Sequence, residues 1–172
     1  MRIRLVGVVA LVLTDCAIAA VAVSKGGQPR SIYIVDASLL TGQSGAGRWP
    51  PTMGEAIAAR TALRNYLRDN RVQAKSDAFI EARNRAAVSS QFDSYTMQVE
   101  GVRAASNPQQ FYDTEGFGPK QIHVNAVCAS ARGAITNLSS EQMAVSDGGN
   151  CFFTALYDLN SKRIVMFMPG GR

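Results

Sequence analysis

Apolar and polar positions alternate most cleanly in the last third of the chain. Ile122, Val124, Ala126 and Cys128 fall on one face of an extended run, with His123 and Asn125 on the other, because strand side chains alternate with period two. A second run, 151–159, sets Cys151, Phe153, Ala155 and Tyr157 against Phe152, Thr154, Leu156 and Asp158. A third, 163–168, is apolar on both faces. The short polar stretch 158–162 between the last two reads as a hairpin connection, with Asn160 as the residue best able to turn left-handed. Met143 and Val145 suggest a further short strand, stopped by Asp147-Gly148-Gly149, where both glycines accept positive φ. Upstream, Tyr95, Met97 and Val99 alternate with Thr96, Gln98 and Glu100, the pattern of a half-exposed strand. Ile32 to Val35 is a short β-branched run suited to a sheet edge.

Two stretches switch to helical period. Thr52-Met53-Gly54-Glu55 is a capping-box pattern, and Pro51 blocks extension backwards, so a helix is predicted over 53–70. Ala56, Ala59, Leu63, Tyr66 and Leu67 form its apolar stripe. Its other side carries Arg60, Arg64, Arg68 and Arg71, followed by Lys75. Ser76 and Asp77 offer caps for a second helix over 78–90, whose weaker stripe is Phe79, Ala82, Ala86 and Val88 or Ser90. The fold class is therefore α+β: one or two helices packed on an antiparallel sheet of about four strands, cystatin-like or NTF2-like by analogy.

The N-terminus changes the picture of where this domain works. Arg2 and Arg4 precede an apolar run 5–13, and a more polar stretch ends in Ala17-Ile18-Ala19. That is the layout of a secretory signal peptide with cleavage after Ala19. Two other readings stand beside it. Leu13-Thr14-Asp15-Cys16 looks like a lipoprotein box, although Asp15 replaces the small uncharged residue expected before a lipidated Cys16. An uncleaved anchor over 3–23 would have to insert Asp15, at about 2.5–3.5 kcal/mol. The resulting division is 1–19 signal peptide, 20–51 tether and glycine-rich loop with an edge strand, and 52–172 a single α+β domain.

The chain has 172 residues, one-domain length, and 47% hydrophobic residues, enough for a core. A formal charge of +5 favours anionic surfaces in general without selecting nucleic acid. Of three cysteines, removal of the signal takes Cys16 and leaves Cys128 and Cys151, both on faces that otherwise read as core. If their strands are neighbours, the sulfurs meet at bonding distance, and closing a loop of roughly twenty residues contributes about 3 kcal/mol on the chain-entropy account. Two buried free thiols are the alternative. An oxidising compartment favours the bridge, so export and disulfide support each other.

Candidate chemistry is sparse. The glycine-rich stretch 41–47 lacks the Gly-Lys-Ser/Thr of a P-loop, and Gly42-x-Ser44-x-Ala46 departs from a nucleophile elbow. Trp49, the single tryptophan, reads as a core contact. The one histidine, His123, lies mid-strand, where a structural role is expected; a relay would need it, and no activated serine is evident. One histidine and two bridged cysteines make no zinc set. No cofactor is expected. Ligand or partner contacts are placed on the long loop 104–119, through Phe111, Tyr112 and Phe117, and on the basic helix row Arg60, Arg64 and Arg68. A solvated helix face is the plainer account of that row.

Several motifs carry a resemblance. Tyr95-x-x-Gln98-x-x-Gly101-Val102, then Val124-Asn125-Ala126-x-Cys128, then Asp147-Gly148-Gly149-x-Cys151-Phe152-Phe153 with Tyr157-Asp158, resemble a group of small exported bacterial proteins, secreted or lipid-anchored, of no assigned activity. The likeness covers about residues 92–171. It departs at Pro169-Gly170, where that group carries Asn-Gly. It implies export and a paired cysteine and carries over no catalytic residue. The expectation is a non-catalytic exported envelope protein, periplasmic or extracellular, that binds a protein or an anionic envelope component. Membrane association requires a lipidated Cys16 or a retained N-terminus. An inhibitor or immunity protein presenting loop 104–119, and a hydrolase in an NTF2-like pocket, are the alternatives.

Overall fold

A computed structural model of the chain describes residues 32–36, 39, 40, 47–69, 78–104, 118–131, 138, 143 and 149–170. The predicted signal segment, Cys16, Ser44, Arg71, Lys75, Phe111, Tyr112, Phe117, Val145 and Asp147 lie outside them.

Five strands form one open sheet in the order β1 (Ile32–Ile34), β2 (Thr96–Arg103), β3 (Lys120–Val127), β4 (Phe152–Asp158) and β5 (Arg163–Pro169). The α+β class stands, with the edge run supplying a fifth strand. That strand runs parallel to β2, with Ile32 beside Met97, so the sheet is mixed; the other three pairings are antiparallel. A parallel neighbour needs a long crossover, and here the two helices lie between β1 and β2 in the chain.

The first helix, α1 (Met53–Arg68), starts as the capping box predicts. Thr52 Oγ1 accepts the Glu55 amide at 3.2 Å, and the Glu55 carboxylate accepts the Thr52 amide at 2.8 Å. Ala56, Ala59, Leu63 and Leu67 are buried, with Tyr66 at the margin. This stripe lies across β1, β3, β4 and β5. The inward residues of the strands meet it: Met97, Val99, Ile122, Val124, Ala126, Phe153, Ala155, Tyr157 and Phe167. A chain of tilted rings, Tyr66–Phe167–Phe153–Tyr95, runs through this core at centroid spacings of 5.9, 5.5 and 5.0 Å.

The second helix, α2 (Ala78–Ser90), differs from its predicted stripe. Val88 is buried as that stripe expects, but Ala86 is exposed and Arg85 is buried in its place. Arg85 lies 4.1 Å over the Tyr66 ring and donates to the Tyr66 carbonyl at 2.8 Å. A flat, delocalised cation that stacks on one group and bonds another is accommodated where a lysine would not be.

Cys128 and Cys151 form the expected disulfide, joining residues 23 apart across the ends of β3 and β4 with a Cα–Cα distance of 4.8 Å. The Cys128 amide donates to the Cys151 carbonyl at 2.8 Å. Cys151 itself stands in a short 3-10 turn (Gly149–Cys151), one residue before β4 begins, and Gly149 takes the positive φ foreseen for that turn. In the hairpin between β4 and β5 the left-handed residue is Lys162, not Asn160. The Asp158 carboxylate explains the difference. It accepts the Asn160 and Ser161 amides at 3.1 and 2.7 Å, which holds those residues right-handed and leaves the reversal to Lys162. The Ser161 amide bond above all draws the Asp158 carboxyl below its ordinary value.

Met143 is in no strand. Its amide donates to Gln98 Oε1 at 2.8 Å, and its carbonyl accepts from Asn125 at 3.4 Å. Side chains of the sheet take the backbone bonds that a neighbouring strand would have taken.

Candidate functional site

Two polar places emerge from this scaffold. The first is a cleft of about 460 Å³ where α1 meets the end of α2 and the following 3-10 turn (Phe92–Ser94). Arg64, Leu67 and Arg68 line it from α1, and residues 89–94 line it from the other side. Arg60 and Arg64 stand one helical turn apart, so their guanidinium groups reach the same spot. They lie 5.5 and 5.3 Å over the Phe92 ring, and both bond Asp93 Oδ1, Arg60 at 3.1 Å. Arg60 stands beside the cleft, while Arg64 and Arg68 line it. Arg68 donates to the Asn65 amide oxygen at 2.6 Å. The Arg64–Asp93 pair is open to solvent, with side chains 45% and 75% exposed, so it contributes little stability and exchanges readily.

Ser89, Ser90 and Ser94 bring hydroxyls to the same wall. Those of Ser90 and Ser94 donate to the Ala87 and Gln91 carbonyls at 2.8 and 2.7 Å.

The second place is the sheet face turned away from the helices. β2 was expected to be half-exposed, and this is the main correction. Thr96, Gln98 and Glu100 are all buried, at 3, 2 and 2% exposure. Gln98 and Glu100 have polar company that the linear pattern of β2 does not reveal. Gln98 Nε2 donates to the Leu138 carbonyl at 2.7 Å while its oxygen takes the Met143 amide. Glu100 sits directly opposite His123 in register. Its Oε1 lies 2.8 Å from His123 Nδ1, and Arg48 grips Oε2 through Nε at 2.9 Å and through Nη2. His123 Nε2 in turn is 2.8 Å from Thr154 Oγ1.

Arg48 reaches this face because of its neighbour. The extended segment 48–49 pairs with β2 at Gly101, with bonds of 3.1 and 2.8 Å between Trp49 and Gly101. Consecutive extended residues point to opposite faces. Trp49 therefore covers the helix side, lying where a Cβ on Gly101 would be 2.2 Å from its ring, and Arg48 enters the other side. The expected core role of Trp49 holds, with Arg103 and Lys120 completing a cationic rim 5.8 and 5.0 Å from its ring.

Burial alone would raise the Glu100 carboxyl. The hydrogen bonds and charges of His123 and Arg48 together outweigh it, and the net direction is down. Glu100 is thus a carboxylate. The Thr154 hydroxyl lies between His123 Nε2 at 2.8 Å and the Val124 carbonyl at 3.3 Å: it donates to Nε2 in the neutral tautomer that keeps its proton on Nδ1, and to the carbonyl when Nε2 carries a proton.

Of the predicted contact residues, Arg64 and Arg68 come together in the cleft, and Phe111, Tyr112 and Phe117 lie outside the described residues. The base of their loop is closed by the Ala104 amide on the Pro119 carbonyl at 2.8 Å. Sequence reasoning missed Arg48, Gln98, Glu100 and Thr154. The available signal was that three separate runs each carry polar residues on one alternation phase: Gln98 and Glu100, His123 and Asn125, and Thr154. Among the described residues there is no group of three His, Cys, Asp or Glu able to hold a metal ion, and no helix long and apolar enough to cross a membrane. No family model, curated protein or solved structure matches this chain.

Proposed function

We propose that the protein is an exported envelope protein whose Arg64–Arg68 cleft binds an anionic group of a partner molecule. The observation that carries this reading is the Arg64–Asp93 pair. An exposed guanidinium already stacked on Phe92 is held by one exposed carboxylate of the chain itself, so an incoming anion replaces Asp93 at little cost. Arg68 and the serine wall stand beside it. Export is supported by the N-terminal pattern and by the Cys128–Cys151 bridge, which persists in an oxidising compartment. The mature chain is expected to start at Ala20; an acylated Cys16 or an intact Met1 on N-terminal sequencing would replace that assignment.

The test is calorimetric titration of the mature protein with inorganic phosphate and with vesicles of anionic phospholipid. Binding to at least one, weakened about tenfold or more in R64Q/R68Q and by added salt, is the expected result. Equal binding by the folded double variant, or no heat with either probe, overturns the reading.

A further inference from the structure

The geometry points to a second, separate site: Thr154, His123 and Asn125 form an ester-cleaving centre on the sheet face opposite the helices, positioned by Glu100. Glu100–His123–Thr154 is a carboxylate–imidazole–hydroxyl relay with both links at 2.8 Å, the arrangement in which a base raises the reactivity of a hydroxyl and a carboxylate fixes the imidazole tautomer. Arg48 holds the carboxylate from behind. The burial is graded along the relay as such chemistry needs. Glu100 and His123 are 2 and 7% exposed, whereas Thr154 is only partly buried.

The surroundings of Thr154 supply the rest. In register it stands between Asn125 on β3 and Met168 on β5. In the adjacent row, His123 is followed across the sheet by Leu156 and Met166. Thr154 therefore sits on a seam. One side is the polar network; the other is an apolar strip of half-buried Met166 and of Met168, which is 46% exposed. A carboxylic ester with an apolar acyl chain matches that division. Its acyl chain lies on the methionine strip and its carbonyl over Thr154. The Asn125 amide is the directly facing donor for the developing oxyanion, since its bond to the Met143 carbonyl is long, at 3.4 Å, and easily exchanged.

The steps balance without any co-reactant but water. Thr154 Oγ1 bonds to the carbonyl carbon while its proton passes to His123 Nε2. The tetrahedral oxyanion collapses, the ester C–O bond breaks, and the leaving alkoxide takes the proton from Nε2 and departs as the alcohol. Water then gives a proton to Nε2 and adds its oxygen to the acyl-Thr154 carbon. Collapse releases the acid and returns the proton to Thr154.

The mature protein is assayed with p-nitrophenyl esters of short and medium acyl chains, and in parallel treated with a fluorophosphonate and mapped by peptide mass spectrometry. Expected are a single adduct on Thr154 and ester turnover falling about 100-fold or more in Thr154→Val, which preserves shape, but retained in Thr154→Ser. Asn125→Ala lowers kcat with KM little changed. Circular dichroism melting certifies that each variant is folded. Absence of a Thr154 adduct in folded protein, or equal turnover by Thr154→Val, overturns the proposal. Neither outcome touches the anion cleft, whose variants lie on α1.

Discussion

The two faces of one sheet are closed by opposite physics. Toward the helices, Met97, Val99, Ile122, Val124, Phe153 and Phe167 are covered by the α1 stripe, and burial of apolar area is the driving force. On the other side, Gln98, Glu100 and His123 are buried just as deeply, and there every polar atom must find a partner or cost free energy. The first face tolerates any side chains of suitable volume. The second tolerates only a particular set of donors and acceptors, drawn from strands, from segment 48–49 and from residues 138 and 143. The contrast teaches where specificity resides: the apolar face makes the domain collapse, and the polar face decides which segments lie on it.

The largest expected effect comes from changes that keep volume. Glu100→Gln removes the charge that faces the buried Arg48 and is expected to cost about 3–5 kcal/mol in urea denaturation. Leu63→Met, equally conservative in size but on the helix side, is expected to cost under about 1.5 kcal/mol. Comparable losses for the two would erase the distinction between the faces.

A middle-sized effect tests whether the faces are coupled. Gly101→Ala places a methyl against the Trp49 ring and is expected to cost about 1–3 kcal/mol. Because Arg48 adjoins Trp49, displacing the ring also loosens the Arg48–Glu100 contact. The double variant Gly101→Ala/Glu100→Gln should then cost less than the two single changes together; strict additivity would show that the faces are independent.

The smallest effect is the pH response. Glu100 has a folded-state pKa below its ordinary 4.5, so its contribution is complete above that value and is lost as pH falls through the lower folded one. Thermal melting from pH 6 downward should show a shallower acid limb in Glu100→Gln than in the parent chain. Identical limbs would mean that Glu100 is not charged in the folded protein.

Much of the helix side was legible in the linear pattern. Alternation in the strands and the three-and-four spacing in α1 report which residues point inward, because both are local consequences of backbone geometry. The capping box at Thr52 and the bridge between Cys128 and Cys151 were legible for the same reason: each needs only local spacing or strand adjacency. The basic row was legible as a row. That Arg60 and Arg64 both fold onto Phe92 and Asp93, and that Arg64 and Arg68 line a cleft, depends on a turn some thirty residues away.

The sequence by itself determined the main strands and their inward faces, the start and stripe of α1, and the two sulfurs that pair. Only the tertiary structure decided that β1 runs parallel to β2, that Met143 serves side chains instead of a strand, and that Glu100, His123 and Thr154 stand in one line. The reason is that an apolar residue needs only to be removed from water, which any neighbour accomplishes, and so its periodicity betrays its fate. A polar residue's fate depends on which complementary atom the fold brings to it, and that atom belongs to another segment of the chain.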